Sequence, residues 1–248
     1  MVEKVIKEFD ITNIPRSCTF IVIGPPQSGK TSFIEQLLYF NQHKYPCAKV
    51  WCETEDTQRN YQKYIPPLYI SNEYNISEHD NSIVRQKMTL NDKECSNPSC
   101  AFVLDDCNTD KQIFRTKQMI GQFKNGSRWW DCLFIIGSHY IFDMGPDLRN
   151  SVSYVVLFRE PSMDERKKLW KNFAIGCNFA EFCDLMDQLT GHFCCMIFQK
   201  RSQSNNLEDC CFYYQVKDPK TLGKWKIGCK QYRKWAKSRY NQQYKEVF

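Results

Sequence analysis

No apolar run in this 248-residue chain approaches the roughly 20 residues that a membrane-spanning helix needs, so no helical span is expected. The opening residues, Met1-Val2-Glu3-Lys4-Val5, are too polar and carry too little apolar length for a signal peptide, and the expected setting is the reducing cytosol. Internal repeats and low-complexity segments are absent. What remains is an ordinary globular composition, 42% hydrophobic and 25% charged, long enough for one α/β domain with a small appendix. Tight paired clusters of metal ligands are also missing. Cys95 and Cys100 flank Asn97-Pro98, with His79 or Cys107 as conceivable further ligands, but no second pair accompanies them, and zinc is set aside. No Ser–His–Asp set stands in a recognisable context. The 14 cysteines lie within apolar stretches such as Phe193-Cys194-Cys195-Met196, where cysteine behaves as a small buried hydrophobe rather than a disulfide partner.

Acidic residues are scarce toward the C-terminus. From Lys217 to Lys245, Asp218 is the single acid among Lys217, Lys220, Lys224, Lys226, Lys230, Arg233, Lys234, Lys237, Arg239 and Lys245. Trp225, Tyr232, Trp235, Tyr240 and Tyr244 are interleaved with these cations. Cations can meet phosphates and rings can stack on bases, so this end fits either a nucleic-acid contact or a solvated surface with packing aromatics.

Apolar runs of strand length alternate with helical patterns, which predicts a mostly parallel sheet covered by helices. Strands are expected at Cys18–Ile23, near Lys49–Cys52, at Ala101–Leu104, Leu133–Ile136 and Tyr154–Phe158, then at His192–Gln199 and Cys211–Val216 as a C-terminal β-hairpin around the polar turn Ser202–Asn206. Helices are expected at about Lys30–Phe40, where Phe33, Ile34, Leu37 and Leu38 share a face, and at Ser82–Leu90, Thr109–Phe123, Met163–Phe173 and Phe179–Leu189. Glu53–Asn75, broken by Pro66-Pro67, reads as an irregular excursion, and Ser138–Asn150 as a loop. The expected division is an ATPase domain over residues 1–216 and a basic, aromatic extension over 217–248.

Between the first strand and the first helix lies Gly24-Pro25-Pro26-Gln27-Ser28-Gly29-Lys30-Thr31, which matches G-x-x-x-x-G-K-[ST] in the strand–loop–helix setting that its chemistry requires. Glycines let the loop bend so that successive backbone N–H groups converge on a β-phosphate, and the helix N-terminus adds partial positive charge. Gly24 through Ser32 are therefore the expected ATP-binding residues. Lys30 reaches the β- and γ-phosphates, and the Thr31 hydroxyl is a Mg²⁺ ligand. A second acidic element is needed, and Phe102-Val103-Leu104-Asp105-Asp106 supplies it: an apolar strand ending in two carboxylates. Asp105 is the expected Mg²⁺ ligand, through water, and Asp106 the group that orients or deprotonates the attacking water, with Glu55 as a competitor for that role.

The pattern resembles the DNA-packaging ATPases of large eukaryotic DNA viruses and their virophages, within the FtsK–HerA superfamily of P-loop ATPases. The resemblance spans Ile14 to Lys234. It rests on Ile23–Thr31, Tyr61-Gln62-Lys63-Tyr64-Ile65-Pro66, Leu104-Asp105-Asp106, Arg149-Asn150 ahead of Tyr154–Phe158, Cys211-Phe212-Tyr213-Tyr214 and Lys226-Ile227-Gly228-Cys229. It implies a homo-oligomeric ring, commonly of six subunits, that hydrolyses ATP to drive double-stranded DNA into a preformed capsid. The implied partners are DNA and a capsid or portal-vertex protein, and the implied location is a virus assembly site in the host cytoplasm, or the virion. It implies two further site residues. A polar sensor follows the next strand, here His139 where the superfamily usually has Gln, and Arg149 is placed to reach a neighbouring subunit's site. Asp106 stands where the broader superfamily usually has Glu.

Two other functions share the phosphate-loop motif. A nucleoside or small-molecule kinase would add an arginine-rich lid, and none stands out. A scaffold using ATP as a structural switch would not need Lys30, Thr31, Asp105 and Asp106 together.

Overall fold

The computed structural model describes residues 5–93, 95–107, 113–139 and 145–241. The strands are β1 (Lys7–Glu8), β2 (Cys18–Ile23), β3 (Cys47–Cys52), β4 (Ile70–Ser71), β5 (Cys100–Asp105), β6 (Cys132–Ser138), β7 (Tyr154–Leu157), β8 (Cys194–Gln199) and β9 (Cys211–Gln215). They form one sheet in the order β1-β9-β8-β7-β2-β6-β5-β3-β4. All neighbours run parallel except β7–β8 and β8–β9, which are antiparallel. The expected mostly parallel α/β sheet with a C-terminal hairpin is what forms.

The central strands are buried on both faces, as continuous apolar runs predict for parallel strands under helices. In β2, Phe20 and Val22 point into one core while Ile21 and Ile23 point into the other. Helix α1 (Lys30–Asn41) covers the first face with Phe33, Ile34, Leu37 and Leu38, each fully buried. Residues 217–241 pack on that side too. Trp225 stacks on Tyr64 at 4.3 Å, Tyr232 stacks on Tyr69 at 4.2 Å, and the Tyr232 hydroxyl donates to the Ala48 carbonyl. On the second face lie Met119 and Phe123, Leu148, and helices α7 (Met163–Phe173) and α8 (Phe179–Leu189), which bring Leu169, Phe173, Phe182 and Met186. The boundaries of α7 and α8 match the sequence reading. Asn178 and Glu181 form a reciprocal capping box at the start of α8.

Several elements differ from expectation. The excursion Glu53–Asn75 contains helix α2 (Glu55–Tyr61), a 3₁₀ turn at Pro67–Tyr69 and β4. Only Tyr61 of α2 is buried, so no apolar period advertised the helix. Helix α3 runs Ile76–Asn91 rather than from Ser82. Its start is set by Asn75, whose side chain accepts from the Glu78 N–H. The segment expected as a helix over Thr109–Phe123 has residues 108–112 outside the described residues. It continues as a 3₁₀ turn (Ile113–Arg115), a short helix α4 (Lys117–Gly121), a π turn (Gln122–Gly126) and α5 (Ser127–Trp129). The loop expected over Ser138–Asn150 holds helix α6 (Pro146–Ser151), with proline at its first turn; residues 140–144 lie outside the described residues. The turn before β9 holds a four-residue helix, α9 (Leu207–Cys210), and the basic segment forms α10 (Lys230–Arg239). Lys245 and Tyr244 lie outside the described residues. All 14 cysteines are free thiols, and most are buried.

Candidate functional site

Three neighbouring strands, β2, β6 and β5, end side by side, and the candidate site is built on their C-terminal ends. The loop Gly24–Gly29 leaves β2 and enters α1 through Gly29 at φ +109, with Gln27 also left-handed at φ +61. Glycine is required at Gly24 by space rather than by torsion. A Cβ there would lie 2.7 Å from the Cβ of Phe158, a buried ring that backs the loop from the end of β7.

Lys30 is buried and turned back on its own loop, donating to the carbonyls of Gly24 at 3.0 Å and Pro25 at 3.3 Å. Its Nζ also lies 3.1 Å from His139 Nδ1 and 3.9 Å from Asp106 Oδ1. His139 Nε2 is 3.3 Å from the same Asp106 oxygen. With Nε2–H facing the carboxylate, the Nδ1 lone pair accepts from the ammonium; with the proton on Nδ1, the ring donates instead to the Gly24 carbonyl, 3.2 Å away. Burial lowers the Lys30 pKa from its ordinary value, while Asp106 and Asp105 oppose the shift.

Asp105 and Asp106 are sequence neighbours in opposite settings. Asp106 takes φ +55 directly after β5 and turns to the half-open side that holds Lys30 and His139. Asp105 is fully buried. Its Oδ2 accepts from the Thr31 hydroxyl at 2.8 Å and from the Tyr61 hydroxyl at 2.9 Å, whereas its Oδ1 is buried with no hydrogen-bond partner. Burial, aided by the charge of Asp106, pushes its pKa up to about 6 against the pull of those two hydroxyls. A hydroxyl and a carboxylate with an unsatisfied oxygen, side by side at a phosphate loop, are the hard oxygen donors that suit Mg²⁺, so the residues fit that ion. Between β2 and β5, Gly137 of β6 gives the Asp105 carboxylate its space, since a Cβ there would sit 2.2 Å from Oδ1.

No protein-family model matches the chain. Among curated relatives, uncharacterized protein 075L of Invertebrate iridescent virus 6 is 33% identical over 250 residues, covering 96% of each chain. Uncharacterized protein 088R of Invertebrate iridescent virus 3 is 32% identical over 214 residues, 86% of this chain and 81% of the relative. The chain belongs to this family of large DNA virus proteins. Among solved structures, the genome packaging NTPase B204 of Sulfolobus turreted icosahedral virus 2 in complex with sulfate matches with a TM-score of 0.58 at 14% identity, covering 83% of this chain and 99% of B204. B204 in complex with AMPPCP gives a TM-score of 0.56 at 15% identity, covering 77% and 96%. ATPases 2 and 3 of EssC from Geobacillus thermodenitrificans give 0.56 at 11% identity, over 90% of this chain and 44% of that one. The fold is therefore the one these NTPases share.

Of the residues expected from sequence, the structure brings Gly24–Thr31, Asp105, Asp106 and His139 together. Ser32 follows on the first turn of α1. Glu55 is elsewhere: its side chain is largely exposed on α2 and pairs with Arg59 at 3.0 Å. Arg149 lies half-buried on α6 and, among the described residues, its side chain makes no hydrogen bond or ion pair. Sequence reading missed the roles of Tyr61, Gly137 and Phe158. Tyr61 was quoted only within a family segment. A glycine immediately before the strand-end serine was the available signal for Gly137, while Phe158 looks like any core aromatic.

Proposed function

We propose that this protein is a Mg²⁺-dependent ATPase that translocates double-stranded DNA and packages it into a preformed viral capsid. The observation carrying the reading is the convergence of Thr31 and Asp105, with Lys30, His139 and Asp106 beside them, at the ends of three adjacent strands. The backbone N–H groups of the loop hold the phosphates, and Lys30 swings from its carbonyl contacts to the γ-phosphate. Thr31 and Asp105 hold the magnesium, which when bound neutralises charge on the β- and γ-oxygens. Asp106 accepts the proton of the attacking water. His139, touching both Lys30 and Asp106, holds these two groups in register and serves as the sensor. Arg149, unpaired among the described residues, acts in a neighbouring subunit's site, which makes the working unit a ring.

The DNA part of the reading is supported by the fold shared with the genome packaging NTPase B204, by the relatives' origin in large DNA viruses and by charge. Two adjoining clefts beside Trp225 are lined by Lys63, Lys224, Lys226, Arg233 and Lys237, and among the described residues no Asp or Glu lines them. Among the described residues, no helix is long and apolar enough to cross a membrane.

ATP turnover measured with and without double-stranded DNA tests the proposal. A translocase is stimulated by DNA. Turnover that ignores DNA but requires a phosphate acceptor would make the protein a kinase, and slow turnover in both conditions would make it a nucleotide-switched scaffold.

A further inference from the structure

Asp106 and His139 fix the polarity of a bound nucleotide. They stand on the β6–β5 side of the phosphate loop, so on the function proposed above the γ-phosphate faces that side and the nucleoside leaves on the other, toward β7 and β8. On that other side the structure presents an unusual residue. Phe193, just before β8, has its side chain 60% exposed, and a Cβ built on Gly29 would lie 3.4 Å from its Cδ1. A singly exposed ring is ordinary on a protein surface, but this one stands beside the phosphate loop, and among the described residues no other ring packs against it.

The backbone holds Phe193 out deliberately. His192 and Phe193 are consecutive non-glycine residues at φ +50 and φ +62, a conformation that L-residues adopt only when their surroundings impose it. Strand β9 imposes it here. Gln215 Nε2 donates to the His192 carbonyl at 2.7 Å, Val216 N–H donates to the Phe193 carbonyl at 3.1 Å, and Cys194 N–H closes the turn on the Gly191 carbonyl at 2.9 Å. The main chain is pinned while the ring stays free.

We propose that Phe193 is the base platform of the nucleotide site, a ring on which the purine of ATP stacks. The inference rests on the nucleotide reading above and adds to it the half of the site that the phosphate-loop motif leaves undefined. Stacking is tolerant of ring substituents but scales with ring area, so Phe193 favours purine over pyrimidine nucleotides.

The test is titration calorimetry of wild-type protein, Phe193→Ala and Phe193→Trp with Mg·ATP, Mg·CTP and inorganic tripolyphosphate. Phe193→Ala should weaken ATP about tenfold, the scale of one base–aromatic stack, and bring the CTP-to-ATP ratio of Kd toward one. Tripolyphosphate, which has no base, should bind Phe193→Ala within twofold of wild type. Phe193→Trp should keep ATP affinity, and its added indole emission should be quenched by ATP but not by tripolyphosphate. Equal weakening of ATP and tripolyphosphate in Phe193→Ala would show that the ring merely supports the loop, and unchanged ATP affinity would show that it does not touch the base; either overturns the platform. If wild-type protein binds neither ATP nor tripolyphosphate, the nucleotide reading itself fails.

Discussion

The two flanks of the phosphate loop are made of different matter. Toward β6 and β5 the loop meets Lys30, His139, Asp106 and, deeper, the Thr31–Asp105–Tyr61 cluster, all polar. Toward β7 and β8 it meets two phenylalanines, Phe158 buried beneath it and Phe193 standing out beside it. The sheet thus assigns polar groups and aromatic groups to opposite sides of one loop, and each side can be perturbed without the other.

The largest effect should come from outside both flanks. Arg149→Ala should lower turnover by about 10³- to 10⁵-fold, as expected when a trans arginine no longer stabilises the transferring phosphoryl group, while nucleotide affinity stays. Specific activity of the wild type should rise with protein concentration through assembly. Mixing Arg149→Ala with Lys30→Ala should restore some activity, because an intact Lys30 site can then receive an intact Arg149. Constant specific activity on dilution, together with mixtures that show no rescue, would place the arginine outside the chemistry.

Within the charged flank, Asp106→Asn should keep Mg·ATP binding and lose about 10²-fold or more in turnover, the range of a lost acid–base group. Single-turnover assays at saturating ATP would read it. A rate equal to wild type would remove Asp106 as base and open the search beyond the groups that touch Lys30.

Asp105 offers a pH test of the same flank, without nucleotide. Its folded pKa, about 6, is raised above the ordinary 3.8, so the folded state holds a proton that the unfolded state has released. Its contribution to stability is therefore fully present below about pH 3.8 and is lost as pH rises through 6. Asp105→Asn carries no such loss. It should melt close to wild type near pH 4 and higher than wild type above pH 7, by roughly 5 °C or more, while hydrolysis is abolished. A melting difference that does not change with pH would contradict the burial-driven shift.

The smallest effect belongs to Tyr61→Phe. The ring stays against Tyr64 at 5.7 Å and only the hydroxyl on Asp105 goes. The cost should be about 1 kcal/mol, one hydrogen bond, and the pH of the transition described for Asp105 should move upward because one stabiliser of its ionised form is gone. Thermal melts across pH would detect it; a downward movement would mean that the hydroxyl favours the protonated acid.

The flanks also differed in how readable they were. Lys30, Thr31, Asp105 and Asp106 stand out because charge at the end of an apolar strand has few structural uses. Phe158 and Phe193 sit in apolar runs where nothing in the residue type separates a core ring from one facing a ligand; only the positive φ of His192 and Phe193 does, and backbone torsion is not written in composition. The central parallel strands β2, β5, β6 and β7 were legible as unbroken apolar runs and α1 by its periodicity, whereas the two-residue parallel strands β1 and β4 were not. Helix α2 was not, since six of its seven residues are polar and only Tyr61 is fully buried, yet it delivers Tyr61 to Asp105. A side chain supplied by a segment with no pattern of its own is visible only once the chain is folded.

Both margins of the nine-stranded sheet are very short: β1 at one end and β4 at the other have two residues each. A strand that brief offers almost no ladder of free N–H and C=O groups to a visiting chain. Its two margins thus give another strand little to extend, despite the width of the sheet. A ring of the kind proposed would be held by contacts between side chains, and such contacts, unlike a shared ladder, can loosen and re-form.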